Sequence, residues 1–340
     1  MTAKPITAGG AQSGGAVATA AVRQHGLGGP RADPAADPAA ARATRLGILA
    51  CVAGMVLFAV GDAMTKVMVA SYPVSQIMLV RTWAFLAFAI LFAASRRRLI
   101  SAIEPRRPVL QIVRGVLILL DQMIFAISLK YLGLAEVSAI YATAPLMATA
   151  LAVPILSEKV GWRRWLAVLV GFVGALLIVR PGAGVFQPIA LLTVSGAAVW
   201  ALYGLATRLA SARDSFETSI IFVAIVGAAA ATPPGLSSWV MPDKQGWLLF
   251  AAFIMTSTAA HLLLMKAYQL AAATILQPFN YVLLATATAI GIGVFGETLS
   301  LPTALGMAVV VASGLYIAFR ERAHGRAPTA VATERPFRRH

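Results

Sequence analysis

The chain has 340 residues, 59% of them hydrophobic and only 12% charged, with a mean hydropathy of +0.80 and a formal net charge of +15. This composition excludes an ordinary soluble domain and points to an integral membrane protein. The positive charge does not mark a nucleic-acid surface, because the arginines sit between apolar runs and at both ends instead of lining a face of a soluble fold. The single cysteine, Cys51, rules out an internal disulfide and any cysteine-based metal cluster.

Residues 1–44 are rich in Ala, Gly, Pro and Thr and include the low-complexity run ADPAADPAA at 32–40, which reads as a disordered cytoplasmic tail. No short apolar region with a cleavage site precedes the first long apolar run, so a signal peptide is not expected. From there on, stretches of about 20 apolar residues recur, each long enough to cross a hydrocarbon core of roughly 30 Å as a helix. About ten spans are expected by the hydropathy criterion, at 46–70, 74–95, 109–130, 134–156, 161–180, 186–210, 216–236, 246–268, 271–295 and 301–320. Residues 321–340 form a second, basic tail.

Basic residues in short loops set the expected orientation. Arg96, Arg97, Arg98, Arg106 and Arg107 fall in the second connection, Lys159, Arg163 and Arg164 in the fourth, and Arg208 and Arg213 in the sixth. The intervening connections carry only Lys130, Arg180 and Lys244, so the even connections and both termini are expected on the cytoplasmic side.

A repeat underlies these spans. FAISLKYLGLAEVSAI at 125–140 resembles HLLLMKAYQLAAATIL at 261–276, and a glutamate precedes a further apolar span at both Glu158 and Glu297. The fold class that follows is an all-α integral membrane protein whose ten helices form two five-helix repeats, residues 45–182 and 183–320. An odd number of spans in each half inverts one half relative to the other, an arrangement suited to alternating access.

Charges inside the spans are the candidate sites, since one at mid-membrane costs about 2.5–3.5 kcal/mol unless it meets a partner or a wet cavity. Asp62 and Lys66 share a helix face four residues apart, and either pair with each other or line a polar pathway. Lys66 also lies near enough to the span's end to reach the interface. Arg81 offers a planar donor fork for a carboxylate or phosphate, or locks onto Asp62 or Asp121. Asp121, in the middle of the third span, suits proton coupling if it is unpaired and a structural role if it is not.

Pro145, one turn beyond Tyr141, and Pro278 in the stretch Gln277-Pro278-Phe279-Asn280-Tyr281 each free a backbone carbonyl in mid-span. Two such interrupted helices at corresponding places in opposed halves point to a central substrate site that includes Tyr141, Gln277, Asn280 and Tyr281. His261 is a second candidate for proton coupling, or a hydrogen-bonded structural residue. Trp83, Trp200, Tyr203 and Tyr281 offer rings for stacking a substrate or for packing. Glu158 and Glu297, each just before a new span, are expected to cap helix N-termini.

Several stretches resemble the drug/metabolite transporter superfamily, and within it the EamA-type ten-span carriers. They are MLVRTWAFLAFAILF (78–92) with its arginine, SLKYLGLAEVSAIYATAPL (128–146), SEKVGWRRWLAVLVGFVGALLIVRPG (157–182) and GETLSLPTALGMAVVVASGLYIA (296–318). The resemblance covers about residues 46–320. It implies a secondary carrier of a small metabolite in a bacterial-type inner membrane, acting as monomer or homodimer without cofactor or metal. DAMTKVMVASYPVSQIMLVR (62–81) also resembles the opening pair of the branch that includes riboflavin and S-adenosylmethionine carriers. The absence of a GxxxxGK[ST] motif leaves a proton gradient or substrate exchange as the expected drive. A membrane-embedded enzyme, the alternative class, would need an HExxH motif or a Cys/His cluster, and the sequence has neither.

Overall fold

In a bilayer every backbone N–H and C=O needs a partner within the chain, and apolar runs of this length meet that need as helices. A computed structural model describes residues 38–95, 105–156, 161–179, 188–211 and 213–323, and the regular structure in them is entirely helical. The elements are α1 (Pro38–Ser71), α2 (Val74–Ser95), α3 (Pro108–Tyr131), α4 (Leu134–Tyr141), α5 (Ala144–Leu156), α6 (Trp162–Val179) and α7 (Pro188–Ser211). Then follow α8 (Phe216–Ser237), α9 (Lys244–Leu270), the short α10 (Ala273–Leu276), a 3-10 turn (Gln277–Asn280), α11 (Tyr281–Gly293) and α12 (Leu301–Ala323).

Among the described residues nine stretches are long and apolar enough to cross a membrane, with α4 and α5 counted together as Leu134–Leu156. The protein is a multi-pass membrane protein. The segment expected as a single span at 271–295 is the exception, because Pro278 cannot donate to a helix ladder and the chain passes from α10 through the 3-10 turn into α11. At the other end, α1 starts at Pro38, inside the stretch expected to be tail up to residue 44. Residues 1–37 and 324–340, Glu158, Lys159, Arg180 and the Arg96–Arg98 run all lie outside the described residues.

From Ala43 onward the helices form one packed unit. Its main pairings are α2 with α8, α3 with α7 and α8, α4 with α11, α5 with α7 and α6 with α12. Cys51 and Met55 of α1 pack on Ala267 of α9 and Leu276 of α10, so the only cysteine is a buried packing residue. The outward faces stay apolar: α6 exposes Leu169, Phe172 and Val173 while burying Gly171, Gly174 and Ala175. Lipid is the solvent that such a face requires.

Without a hydrophobic drive between helices in lipid, close van der Waals approach does the assembling, and small residues permit it. At the α6–α12 crossing backbone meets backbone. A methyl group on Gly174 would stand 2.9 Å from the Gly306 carbonyl oxygen, and one on Gly306 would stand 2.6 Å from the Gly174 carbonyl oxygen. Backbone cannot rotate aside as a side chain can. Gly306→Ala is therefore expected to lower apparent thermal stability in detergent by about 2 kcal/mol through overpacking. An unshifted melting curve would mean that the two helices slide apart freely.

Candidate functional site

Two helix breaks shape the middle of the protein. After Tyr141 the backbone turns through Ala142 and Thr143, where the Thr143 hydroxyl donates to the Ile140 carbonyl at 2.6 Å, before α5 resumes with Pro145 in its first turn. Further along the chain the Gln277–Asn280 turn makes a second interruption, with Asn280 donating weakly to the Gln277 side chain at 3.4 Å. Irregular backbone at this depth is tolerated where protein or a cavity covers it.

A cavity of about 920 Å³ lies between these breaks. Its wall includes Asp62, Arg81, Asp121, Tyr141, His261, Gln277, Asn280 and Tyr281, so all but one of the residues singled out in the sequence as substrate or proton sites meet in one space. The exception is Lys66. Of the aromatic candidates Trp200 and Tyr203 line the cavity as a ring pair 5.5 Å apart, whereas Trp83 is exposed on α2 and donates to Thr232 at 3.0 Å.

Arg81, on α2, stands 5.7 Å from the Phe253 ring centroid, and among the described residues no carboxylate comes within ion-pair distance of it. Neither Asp62 nor Asp121 locks it in place. Tyr141 links α4 to α3, donating to the Asp121 backbone carbonyl at 3.4 Å and meeting Phe125 edge-on at 4.9 Å. His261 packs against Phe58 and Phe85 and places Nδ1 2.8 Å from the Ser257 carbonyl. A carbonyl only accepts, so Nδ1 carries the hydrogen, and Nε2 is left for another partner. Arg114, on the same face of α3 as Asp121, is held elsewhere by Gln111, Thr207 at 3.0 Å and the Tyr203 ring.

Lys66 pairs with Glu297 instead of Asp62, across 231 residues of sequence, and also donates to the Leu132 carbonyl at 3.3 Å. The Glu297 carboxylate accepts from the backbone N–H of Leu134 at 2.6 Å and of Ala135 at 3.0 Å. Glu297 is thus a helix cap, as its position suggested, but for α4 in the other half of the chain. Its own following helix is capped by Ser300, which accepts from the Thr303 N–H at 3.4 Å. A methyl group on Gly291 would come within 2.6 Å of the Glu297 carboxylate, so the glycine leaves room for it. Burial acts to raise the Glu297 carboxyl, but the bonds from Lys66, Ala135 and Leu134 outweigh it and hold the group below its ordinary value. This clamp ties α1, α4 and the α11–α12 connection together at one end, whereas the cavity wall reaches Arg164 and Arg208 at the other.

Ser138, Gln122 and Thr258 also line the cavity and carry no signal in the sequence. A hydroxyl inside a span usually bonds back to its own helix, as Ser128 does to Ile124 at 2.8 Å, so type and position alone do not separate the two cases. Ser138 precedes Tyr141 by three residues, which places it on the same face of α4.

Residues 45–180 match the model of the EamA-like transporter family. That stretch of the chain is similar to this family. Among curated relatives, a riboflavin transporter of Vibrio cholerae is 35% identical over 180 residues, 53% of this chain and 60% of that protein, so the match spans less than two thirds of its length. An S-adenosylmethionine uptake transporter of Rickettsia prowazekii is 25% identical over 65% of this chain and 76% of that protein. A solved crystal structure superposes with a TM-score of 0.58 at 18% identity, covering 84% of this chain and 99% of the other, which shows a shared fold.

Proposed function

We propose that this EamA-like protein is a secondary transporter that moves a small metabolite across a bacterial inner membrane by alternating access. The observation that carries the reading is the cavity between two interrupted helices, lined by Asp62, Arg81 and Asp121 with no carboxylate paired to the arginine among the described residues. Charged groups held in that way inside a membrane protein serve a ligand or ion path. Pairing of α2 with α8, α4 with α11 and α6 with α12 supports two inverted five-helix repeats meeting around the site.

Alternating access then has a concrete form. The Lys66–Glu297 clamp closes one end, which the distribution of loop arginines assigns to the outside, with both termini cytoplasmic. The cavity wall toward Arg164 and Arg208 faces the cytoplasm in this state. Asp121 and His261 are the groups through which a proton gradient would act, and substrate exchange is the other available drive. A monomer suffices, because one chain supplies the whole cavity wall. The relatives named for riboflavin and S-adenosylmethionine support uptake of a ring-bearing metabolite.

The test is uptake of labelled riboflavin, S-adenosylmethionine, amino acids and nucleosides into proteoliposomes, with and without an imposed pH gradient and with unlabelled compound inside. Saturable accumulation of one compound is expected. Equal counts in protein-free vesicles across the whole panel would sink the carrier reading.

A further inference from the structure

The Lys66–Glu297 clamp and the cavity lie at two levels of the protein, and α4 and α11 pack against each other between them. α4 leaves the clamp at its first residue, where the Leu134 N–H donates to Glu297, and ends at Tyr141 in the cavity wall. α11 runs the other way. It starts at Tyr281 in the cavity wall and ends at the clamp, where the Glu297 N–H donates to the Gly291 carbonyl at 2.9 Å. The two helices touch beneath the clamp: a methyl group on Gly291 would stand 3.4 Å from Ala135 Cβ.

One turn inward from that contact, on the same helix faces, come Ser138 of α4 and Thr288 of α11. Both hydroxyl oxygens are buried with no hydrogen-bond partner among the described residues. The usual remedy inside a span is a bond to the carbonyl four residues earlier, which Thr65, Thr82, Ser128 and Thr232 all make. Two departures on packed helices are costly while the helices stay together, and water between them would satisfy both. Ser138 also borders the cavity, so these atoms continue it toward the clamp.

The clamp is placed where it can release. It joins segments distant in the chain, with its carboxylate on the α11–α12 connection and not within a helix. Gly296, just before it, has a φ of 63°, a turn that favours glycine and folds the carboxylate back over the end of α11. The Lys66 and Glu297 side chains are 19% and 16% exposed, so water reaches both as they separate.

We propose, on the basis of the carrier reading above, that the α4–α11 seam is the closed outer half of the transport pathway and that the Lys66–Glu297 clamp is its latch. Release of Glu297 frees α4 from α1 and from α11, and Ser138 and Thr288 then line a wet passage from the cavity to the outer surface. Recapture of the carboxylate by Lys66 and the Leu134 and Ala135 amides closes it.

The experiment reads the labelling of Thr288→Cys and Ser138→Cys by a membrane-impermeant maleimide added outside cells that express the full-length protein, with the latch intact or weakened by Glu297→Gln. Met241→Cys, on the exposed connection after α8, is the site open in every state, and the fully buried native Cys51 reports loss of fold. Weakening the latch is expected to speed labelling at positions 138 and 288 at least about tenfold, the shift in equilibrium for a lost hydrogen bond to a charged group. Position 241 should label equally in both backgrounds, and Cys51 should stay unlabelled. Lys66→Met should act as Glu297→Gln does. Once modified, Thr288→Cys should lose at least about tenfold in uptake of the compound that the wild type transports, whereas modified Met241→Cys keeps it.

Equal labelling rates at 138 and 288 with the latch intact and weakened overturn the latch and leave the carrier standing if uptake persists. Labelling of Cys51 in step with position 288 overturns it as well, because the change is then general unfolding. A wild type that takes up no compound overturns the carrier reading, while labelling, which needs no substrate, still decides whether the seam opens.

Discussion

Arg81→Ala is expected to abolish uptake of whichever compound the wild type transports, while the variant still inserts in the membrane and elutes as the wild type does. The guanidinium borders the cavity, rests on the Phe253 ring at 5.7 Å and has no carboxylate in ion-pair range among the described residues. Removing it therefore breaks no structural ion pair. It removes the guanidinium that lines the cavity with Asp62 and Asp121, and a lost hydrogen bond to a charged group corresponds to a fall of at least about 30-fold in initial rate.

Arg81→Lys is expected to recover little, because a lysine lacks the planar fork that holds a carboxylate in two bonds and stacks poorly on an aromatic ring. Initial rates in proteoliposomes are the measurement. Unchanged rates in Arg81→Ala would remove this residue from the mechanism, and a large drop in melting temperature with proportionate loss of protein would make its role structural.

Glu297→Ala is expected to lower apparent stability by about 3 kcal/mol. The substitution strands the Lys66 ammonium, whose side chain is only 19% exposed, and leaves the Leu134 and Ala135 amides at the start of α4 without their acceptor. Removing one partner of a largely buried pair and losing a cap act in the same direction. Glu297→Gln keeps an acceptor for the amides and loses the charge, so it should fall between wild type and alanine.

The pH dependence has a defined sign. The folded carboxyl lies below its ordinary 4.5, so it binds fewer protons than the unfolded chain does near that pH. Its stabilising contribution is complete above about pH 4.5 and declines as pH falls through the lower folded value. Melting curves from neutral to acid pH should therefore converge for wild type and Glu297→Gln on the acid side. A gap that is constant across the range would show that the clamp does not titrate as this geometry requires.

Much of the architecture was legible in the residues because the bilayer imposes a length. A run such as MLVRTWAFLAFAILF can satisfy its backbone in hydrocarbon only as a helix, so the described spans lie close to their hydropathy limits. The two breaks were legible for a related reason, since Pro145 and Pro278 each remove a donor that no lipid replaces. Asp62, Arg81 and Asp121 were visible as candidates because a charge in a span is expensive wherever it points.

Partner choice was decided only by the tertiary structure. Asp62 and Lys66 have the spacing of an ion pair on one helix, yet Lys66 goes to Glu297, where a carboxylate already fixed by two α4 amides offers a pre-oriented acceptor. Glu297 was recognisable as a cap but not as the cap of a helix more than 160 residues away. Ser138 was invisible, because a serine that bonds its own helix and one that faces a cavity are the same letter. What the sequence by itself determined is the set of membrane spans, their interruptions and the short list of intramembrane charges, all properties of single segments against lipid. Which charge meets which, and which hydroxyl is left for a ligand, depends on how helices distant in the chain cross, and that is fixed by contacts such as Gly174 on Gly306 that no single segment contains.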